Sequence, residues 1–482
     1  MLSKQVQIAL FYIVSGVFLA INCYYLVSEE TLMVNLLPFA LAIILLAIMR
    51  LDKLLLLVTF FTPISLPLHE LVSGLSFDMN LPTEPLLFGV LLLFIFQLAA
   101  NRGFDKKILK HPISLALYFY LFWMLITTLT STMPVVSFKF WLSKLWFLAA
   151  FYFLGIHLFK DRKNIYRFVG LYCGAFILVI FYAWSRHISY GLTDEQAAHF
   201  VMNPFYKDHT SYGAMLAFFI PFLLGLTFSS EYKIRNRILS GITLVLFSAA
   251  LVFSYTRAAW LSLAVAFIVW LIIKLKIRFR PLFVTGITFV VLIILFQTQV
   301  LMFLERNNDQ SSSNLATHIT SMANVSTDAS NLERINRWSS AIRMFEEKPV
   351  FGWGPGTYMF QYAPFQISNQ RTIISTNAGD AGNAHSEYLG PLAESGLLGT
   401  LSFVLIAILI LYVGIHTYTR AREKEVRLIV LSAIIGIVTY LVHGFLNNFL
   451  DTDKAAIPFW GFTAIIVLFD FYTRDKKLEE VR

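Results

Sequence analysis

The chain has 482 residues, 57% hydrophobic and 14% charged, and apolar runs of about twenty residues recur along it, as a hydrocarbon core of roughly 30 Å requires, which excludes a soluble globular domain. Its formal charge of +9 does not call for nucleic acid, because polytopic membrane proteins concentrate Lys and Arg in their cytoplasmic loops. Cys23 and Cys173 both fall inside apolar runs, which excludes a disulfide framework and a thiolate metal centre.

Hydropathy predicts about fourteen spans, at 7–27, 31–49, 54–68, 85–100, 113–129, 140–159, 165–184, 211–228, 239–255, 258–273, 281–304, 397–418, 428–450 and 455–472. The first is too long for a signal-peptide core and is followed by Glu29 and Glu30 instead of a small-residue cleavage site, so it reads as a span. The third is short and carries Pro63 and Pro67, which marks a re-entrant segment. The midplanes carry almost no charge. Alternate connections are basic: Lys106, Lys107 and Lys110; Lys160, Arg162 and Lys163; Arg235 and Arg237; Arg420, Arg422 and Lys424. Most of the 38 Lys and Arg therefore lie on one face, which is expected to be cytoplasmic together with both termini.

The same alternation sends the one long connection, 305–396, to the periplasm. It opens with a Ser/Asn-rich stretch, NNDQSSSNLATHITSMANVSTDAS, with too few large apolar residues for a core. SNLERINRWSSAIRMFEE follows, with Ser330 and Glu333 at capping-box spacing and Leu332, Ile335, Trp338, Ile342 and Phe345 at helical spacing, which predicts an amphipathic helix near the membrane surface. KPVFGWGPGTY ends it, and Gly352, Gly354 and Gly356 around Pro355 read first as a tight turn and second as a phosphate cradle. The expected fold is an all-α polytopic membrane protein of about 12–14 transmembrane helices: 1–304 with about eleven spans, a large periplasmic catalytic loop at 305–396 containing short amphipathic helices, and 397–482 with about three spans and a cytoplasmic tail.

Four polar groups collect at the outer face. Arg257, in SYTRAAW, stands where two spans meet, so it either snorkels to lipid head groups or binds something. Arg334 precedes Trp338 by four residues and Arg337 by three, so guanidinium and indole can share a helix face, or the charge can simply be solvated. Lys207, Asp208 and His209, in NPFYKDHTSYG, either cap a helix or act in the site. In GNAHSEYLGPLAESGLLG, Asn383 or Ser386 can cap a short helix that Gly396 ends, placing His385 at its positive end, where imidazole stays neutral and can act as a general base. Two arginines facing a neutral histidine suit a glycosyl transfer in which an acceptor hydroxyl loses a proton and a lipid diphosphate departs as an anion.

In combination, SYTRAAW, RINRWSSAIRMFEEKPVFGWGPGTY and NAHSEYLGPLAESGLLG resemble the O-antigen ligase and polysaccharide polymerase superfamily of integral membrane glycosyltransferases. The resemblance implies Arg257 and Arg334 as diphosphate-binding residues, His385 as the base, and structural roles for Trp338, Gly352, Gly354, Gly356, Glu394 and Gly396. It also implies inverting chemistry without cofactor or metal, an undecaprenyl-diphosphate-linked glycan donor, and a site at the periplasmic face of the bacterial inner membrane. Ser386 departs from the Asn often found after the histidine in that superfamily. Asp451 and Asp453 form an Asp-x-Asp that reads as an acidic outer turn, as a partner for an arginine or His385, or as a divalent-cation site.

The expected activity is ligation of a glycan to the lipid A-core of lipopolysaccharide. A polymerase joining lipid-linked repeats and an enzyme transferring glycan to protein share the same donor chemistry and remain alternatives. A transporter or flippase, from a different class, predicts midplane charges and repeated halves that the spans lack.

Overall fold

The computed structural model describes residues 4–30, 33–70, 79–100, 105–277, 329–368, 375 and 382–481. The predicted span at 281–304 and almost all of the Ser/Asn-rich stretch lie outside the described residues. Helices of ten residues or more, numbered in chain order, are α1 (Lys4–Ser28), α2 (Leu36–Met49), α3 (Leu51–Phe61), α4 (Thr83–Ala99), α5 (Pro112–Leu129), α6 (Pro134–Phe147), α7 (Lys163–Tyr190), α8 (His209–Phe228), α9 (Ile234–Phe253), α10 (Arg257–Lys274), α11 (Ala329–Glu347), α12 (Leu389–Arg420), α13 (Lys424–His443) and α14 (Asp453–Val481). Among the described residues ten helices are long and apolar enough to cross a membrane, and α2 and α4 are shorter apolar helices. The protein is an all-α polytopic membrane protein.

The expected span at 54–68 is not one helix. α3 stops at Phe61, because Pro63 brings no N–H to continue the ladder, and the chain passes through a 3-10 turn at Thr62–Ile64 into a two-residue strand, Leu66–Pro67, paired antiparallel with Asn80–Leu81. α6 continues through a buried π turn, Leu148–Phe153, into Leu154–Leu158, and the widened turn brings the Tyr152 hydroxyl to 2.8 Å from Ser114 Oγ on α5.

Met1–Leu57 and Val58–Arg482 form two compact units. In the first, α2 has no buried residue, and a helix apolar all round is one whose solvent is lipid. Its polar tie is Asn22 Nδ2 donating to Asn35 Oδ1 at 2.7 Å.

In the second unit α13 packs against α8, α10, α12 and α14. Close approach is paid for with small residues: a Cβ on Gly436 of α13 would lie 2.8 Å from the Phe218 carbonyl of α8. Phe462 of α14 fills the adjoining space against Phe218, with ring centroids 4.7 Å apart, and against Phe219, Phe222 and Phe168. At the basic end Asp470 accepts from His111 at 3.3 Å, from Arg474 at 2.8 Å and from Arg420, which ties α5, α12 and α14 together.

α11 is helical as the spacing predicts, but its buried stripe is Glu333, Asn336, Arg337, Ser340, Ala341 and Met344, a polar and small-residue face. The predicted apolar stripe lies beside it and leaves Ile342 43% exposed. The polar face is held by its hydrogen bonds: Arg337 Nε donates to Glu333 Oε1 at 2.6 Å, Asn336 Nδ2 to Gln366 Oε1 at 2.8 Å, and the Ser375 hydroxyl to Glu333.

The glycine turn after α11 clamps onto α12. Trp353 N donates to Ala393 O at 3.0 Å, Gly354 N to Glu394 O at 2.8 Å, and Leu397 N to Pro349 O at 3.1 Å. α12 breaks at Gly396, whose φ of 68° and ψ of −169° suit only glycine, and a Cβ there would lie 2.1 Å from the Val350 carbonyl. The amides that a phosphate cradle would use are thus occupied at Gly354 by the kink itself.

Candidate active site

Arg257 is the first residue of α10. The turn ahead of it is held by Thr256, whose hydroxyl donates to the His209 carbonyl at 2.7 Å, so the start of α10 is tied to the start of α8. Arg257 lies 3.9 Å from Glu195 Oε1, with 36% and 45% of the two side chains exposed, a solvated contact of small energy. Asp208 caps α8: its Oδ1 accepts from Ser211 N at 2.8 Å and from Thr210 Oγ1 at 2.7 Å. Burial would raise its carboxyl, but these hydrogen bonds and the neighbouring His209 outweigh it and hold the group below the usual carboxylate range. The His209 ring stacks on His199 with centroids 4.1 Å apart.

Arg334 and Trp338 come from α11. The indole N–H of Trp338 donates to the His385 carbonyl at 3.3 Å, so it anchors the histidine segment to the arginine helix. Arg337 faces inward: it pairs with Glu333, its guanidinium lies 4.3 Å over the Tyr362 ring, and its carbonyl accepts from Tyr358 OH at 2.7 Å, which makes it a post that supports the loop.

His385 sits just ahead of α12 with a left-handed φ of 48°. Asn383 Oδ1 accepts its N–H at 3.1 Å, and Ser386 Oγ caps the helix by accepting from Tyr388 N and Leu389 N at 3.3 Å each. Burial first, then the charges of Arg334 and Arg337, push the imidazole down to about 4, so it is neutral at pH 7. The position ahead of a helix points to the helix dipole as the cause, whereas the larger causes in the structure are burial and the two guanidinium groups.

These residues converge. His385 is within Coulombic reach of Arg334 and Asp208, and His209 of Arg334, Arg257 and Asp208. His443, at the end of α13, is within reach of Arg334, Asp208 and His209, and Asn447 Nδ2 lies 3.1 Å from its Nε2. Two cations and a neutral imidazole therefore lie in one polar neighbourhood, a set of groups suited to binding an anion beside a proton acceptor.

Residues 242–404 match the O-antigen ligase family model.

That segment contains Arg257, Arg334 and His385 and ends inside α12, so the resemblance drawn from the motifs is borne out. With ten helices of membrane-crossing length among the described residues, the chain is a multi-pass membrane protein that carries a segment similar to the O-antigen ligase family. No curated protein matches it. Asp208 and His209 precede the O-antigen ligase segment, and His443 and Asp451 follow it, yet the fold brings Asp208, His209 and His443 to its edge.

Glu394 and Asp451 are not part of this cluster. They line a cavity of about 160 Å³ between α5, α6 and the start of α12, together with Lys144 and Glu387. Glu394 Oε1 accepts from Tyr358 N at 3.0 Å. Glu387 Oε1 accepts from Tyr440 OH at 2.5 Å, Phe449 N at 2.7 Å and Leu450 N at 2.8 Å. Asp453 goes elsewhere, its Oδ2 accepting from Ser65 Oγ and Thr83 Oγ1 at 2.6 Å each, so the two halves of the Asp-x-Asp serve different surroundings. The reading of nearly charge-free midplanes is corrected by Lys144, which is 6% exposed and ten residues into α6, about 15 Å from its start at 1.5 Å per residue. Its signal was present in the sequence, as a lysine inside an apolar run. His443 and Asn447 gave none beyond their i, i+4 spacing.

Proposed function

We propose that this chain is a periplasm-facing glycosyltransferase of the bacterial inner membrane that moves a glycan from undecaprenyl diphosphate to an acceptor hydroxyl, with the lipid A-core of lipopolysaccharide as acceptor. The observation that carries the reading is Arg334 beside a His385 kept neutral by burial and by the charges of Arg334 and Arg337, with Arg257 and Arg334 both near the neighbouring His209. His385 takes the proton of the acceptor hydroxyl as that oxygen attacks the anomeric carbon from the face opposite the diphosphate, so the configuration inverts. The bond to the diphosphate breaks with its electron pair, and Arg257 and Arg334 stabilise the charge that develops there without donating a proton. Trp338 holds the His385 carbonyl and thereby the ring. Asp208, a carboxylate within reach of His385, balances the imidazolium that forms.

The test has two arms. His385→Ala should lower single-turnover transfer by roughly 10² to 10⁴ with little change in donor affinity, since a base acts on the acceptor; transfer at the wild-type rate removes the base from the scheme. A deletion strain that accumulates long lipid-linked chains supports ligation, whereas one that makes only single capped repeats assigns polymerisation instead.

A further inference from the structure

The cavity beside Lys144 is separate from the chemistry just described, although the same five residues build both. Along 383–387, Asn383, Ala384, Ser386 and Glu387 line the cavity, while His385 is turned by its left-handed backbone toward Arg334 and Asp208. The segment is thus a partition one residue thick, with the candidate base on one side and a polar chamber on the other.

That chamber has an unusual inventory. A lysine buried inside an apolar helix is costly to maintain without a use or a partner. Lys144 Nζ donates to Leu450 O at 2.7 Å and lies 4.7 Å over the Phe140 ring, which leaves two of its three N–H donors for something else. Trp460 is 3% exposed and lines the chamber, and its indole N–H finds no hydrogen-bond partner among the described residues; the same holds for the buried Oδ1 of Asn448. An orphan donor and an orphan acceptor in one buried wall call for a ligand that is both acceptor and donor. Glu394 and Asp451 add further acceptors, and Asp451 is exposed, so it marks the mouth. Tyr120, Trp123 and Phe140 supply flat apolar faces.

With one lysine among three acidic side chains, the lining offers a diphosphate too few cations. The carboxylates do not close on a cation either: no group of three His, Cys, Asp or Glu among the described residues stands at metal-holding spacing. A neutral polyhydroxylated ring satisfies every feature, with hydroxyls that both donate and accept and C–H faces for the aromatic walls. The volume, about 160 Å³, is that of about five waters at ~30 Å³ each, room for one pyranose ring and too little for two.

We propose that this chamber is a subsite for a single neutral pyranose residue of a glycan, held by Lys144, Trp460 and Glu394 one residue away from the candidate base. The proposal rests on the glycosyl-transfer reading for its biological meaning but not for its test. Full-length protein in nanodiscs is titrated with methyl α-D-glucopyranoside and its galacto and manno epimers, followed by saturation-transfer NMR. Delipidated core oligosaccharide and delipidated repeat-unit glycan serve as competitors. At least one methyl glycoside should receive saturation from the wild type. Trp460→Phe, which keeps the ring and deletes the N–H, and Glu394→Gln, which keeps the acceptor for Tyr358, should each weaken that binding about five- to tenfold. Thermal unfolding of each variant is compared with wild type, and two mild variants guard against a folding failure in either. Competition by core oligosaccharide assigns the ring to the acceptor, and competition by repeat-unit glycan assigns it to the donor; both support the subsite. No binding to wild type, wild-type binding by both variants, or displacement by inorganic diphosphate overturns it. Because the readout is binding, an active His385→Ala would sink the base assignment and leave this result standing.

Discussion

The lowered basicity of His385 can be measured directly. Protein labelled with ¹³C-histidine, with the His385 Cε1–H signal assigned from its loss in His385→Gln, should titrate with a midpoint near 4 instead of 6.5. That gap corresponds to about 3.4 kcal/mol in favour of the neutral ring and leaves about one molecule in 10³ protonated at pH 7. Burial is the largest cause and Arg334 the next, so Arg334→Gln should raise the midpoint part of the way and not restore it to 6.5. An anion bound at Arg334 offsets the same charge, so undecaprenyl diphosphate should also raise the midpoint in wild type. The linkage to stability has a definite sign. A histidine whose folded value lies below its unfolded one leaves the unfolded chain holding more protons between about pH 6.5 and pH 4, so stability falls as pH drops through that window and is fully present above it. At pH 5 the loss from this residue is about 2 kcal/mol, and His385→Gln should lack that component of the acid sensitivity. A midpoint within half a unit of 6.5 in ligand-free wild type would refute the reasoning, because the ring could then be neither buried nor beside the arginines.

Arg257→Ala and Arg334→Ala should each weaken donor binding by about 1.5 to 3 kcal/mol, and lysine at either position should rescue only part of the loss because a point charge lacks the bidentate fork; full rescue by lysine argues against a diphosphate clamp. Gly396→Ala should destabilise the protein by about 1 to 3 kcal/mol, since its backbone is almost exclusive to glycine and the new Cβ meets the Val350 carbonyl; an unchanged unfolding temperature contradicts the clamp between the glycine turn and α12. Transfer by purified enzyme should persist in excess chelator, whereas loss that magnesium or manganese restores would make Asp451 or Asp453 a metal ligand. A cysteine at Ser311 should be labelled by an impermeant thiol reagent from the periplasm and one at Arg278 should not, both positions lying outside the described residues; the opposite pattern inverts the topology and removes His385 from the periplasm.

Much of this protein is legible one residue at a time. A bilayer imposes helices and a minimum apolar length, so hydropathy alone located nearly all of the long helices, and the end of α3 ahead of Pro63 follows from a missing N–H. Arg257, Arg334 and His385 stand out in the sequence by the motifs around them, and all three lie inside the segment that matches the O-antigen ligase family model. Hydropathy and spacing, however, say nothing about how a helix is rotated or which distant segment meets it. Only the tertiary structure decided that α11 buries Glu333, Asn336 and Arg337 in preference to its apolar stripe, because their partners, Gln366, Ser375 and Tyr362, come from further along the chain. It likewise sent Asp451 and Asp453 to different surroundings, brought His443 from outside the family segment to Arg334, and gave Lys144 its three carboxylate neighbours. Each of these depends on side chains converging across more than forty residues of sequence in at least one pairing, and such convergence is fixed by close helix approach at positions such as Gly436, a property of packed pairs and not of any one run.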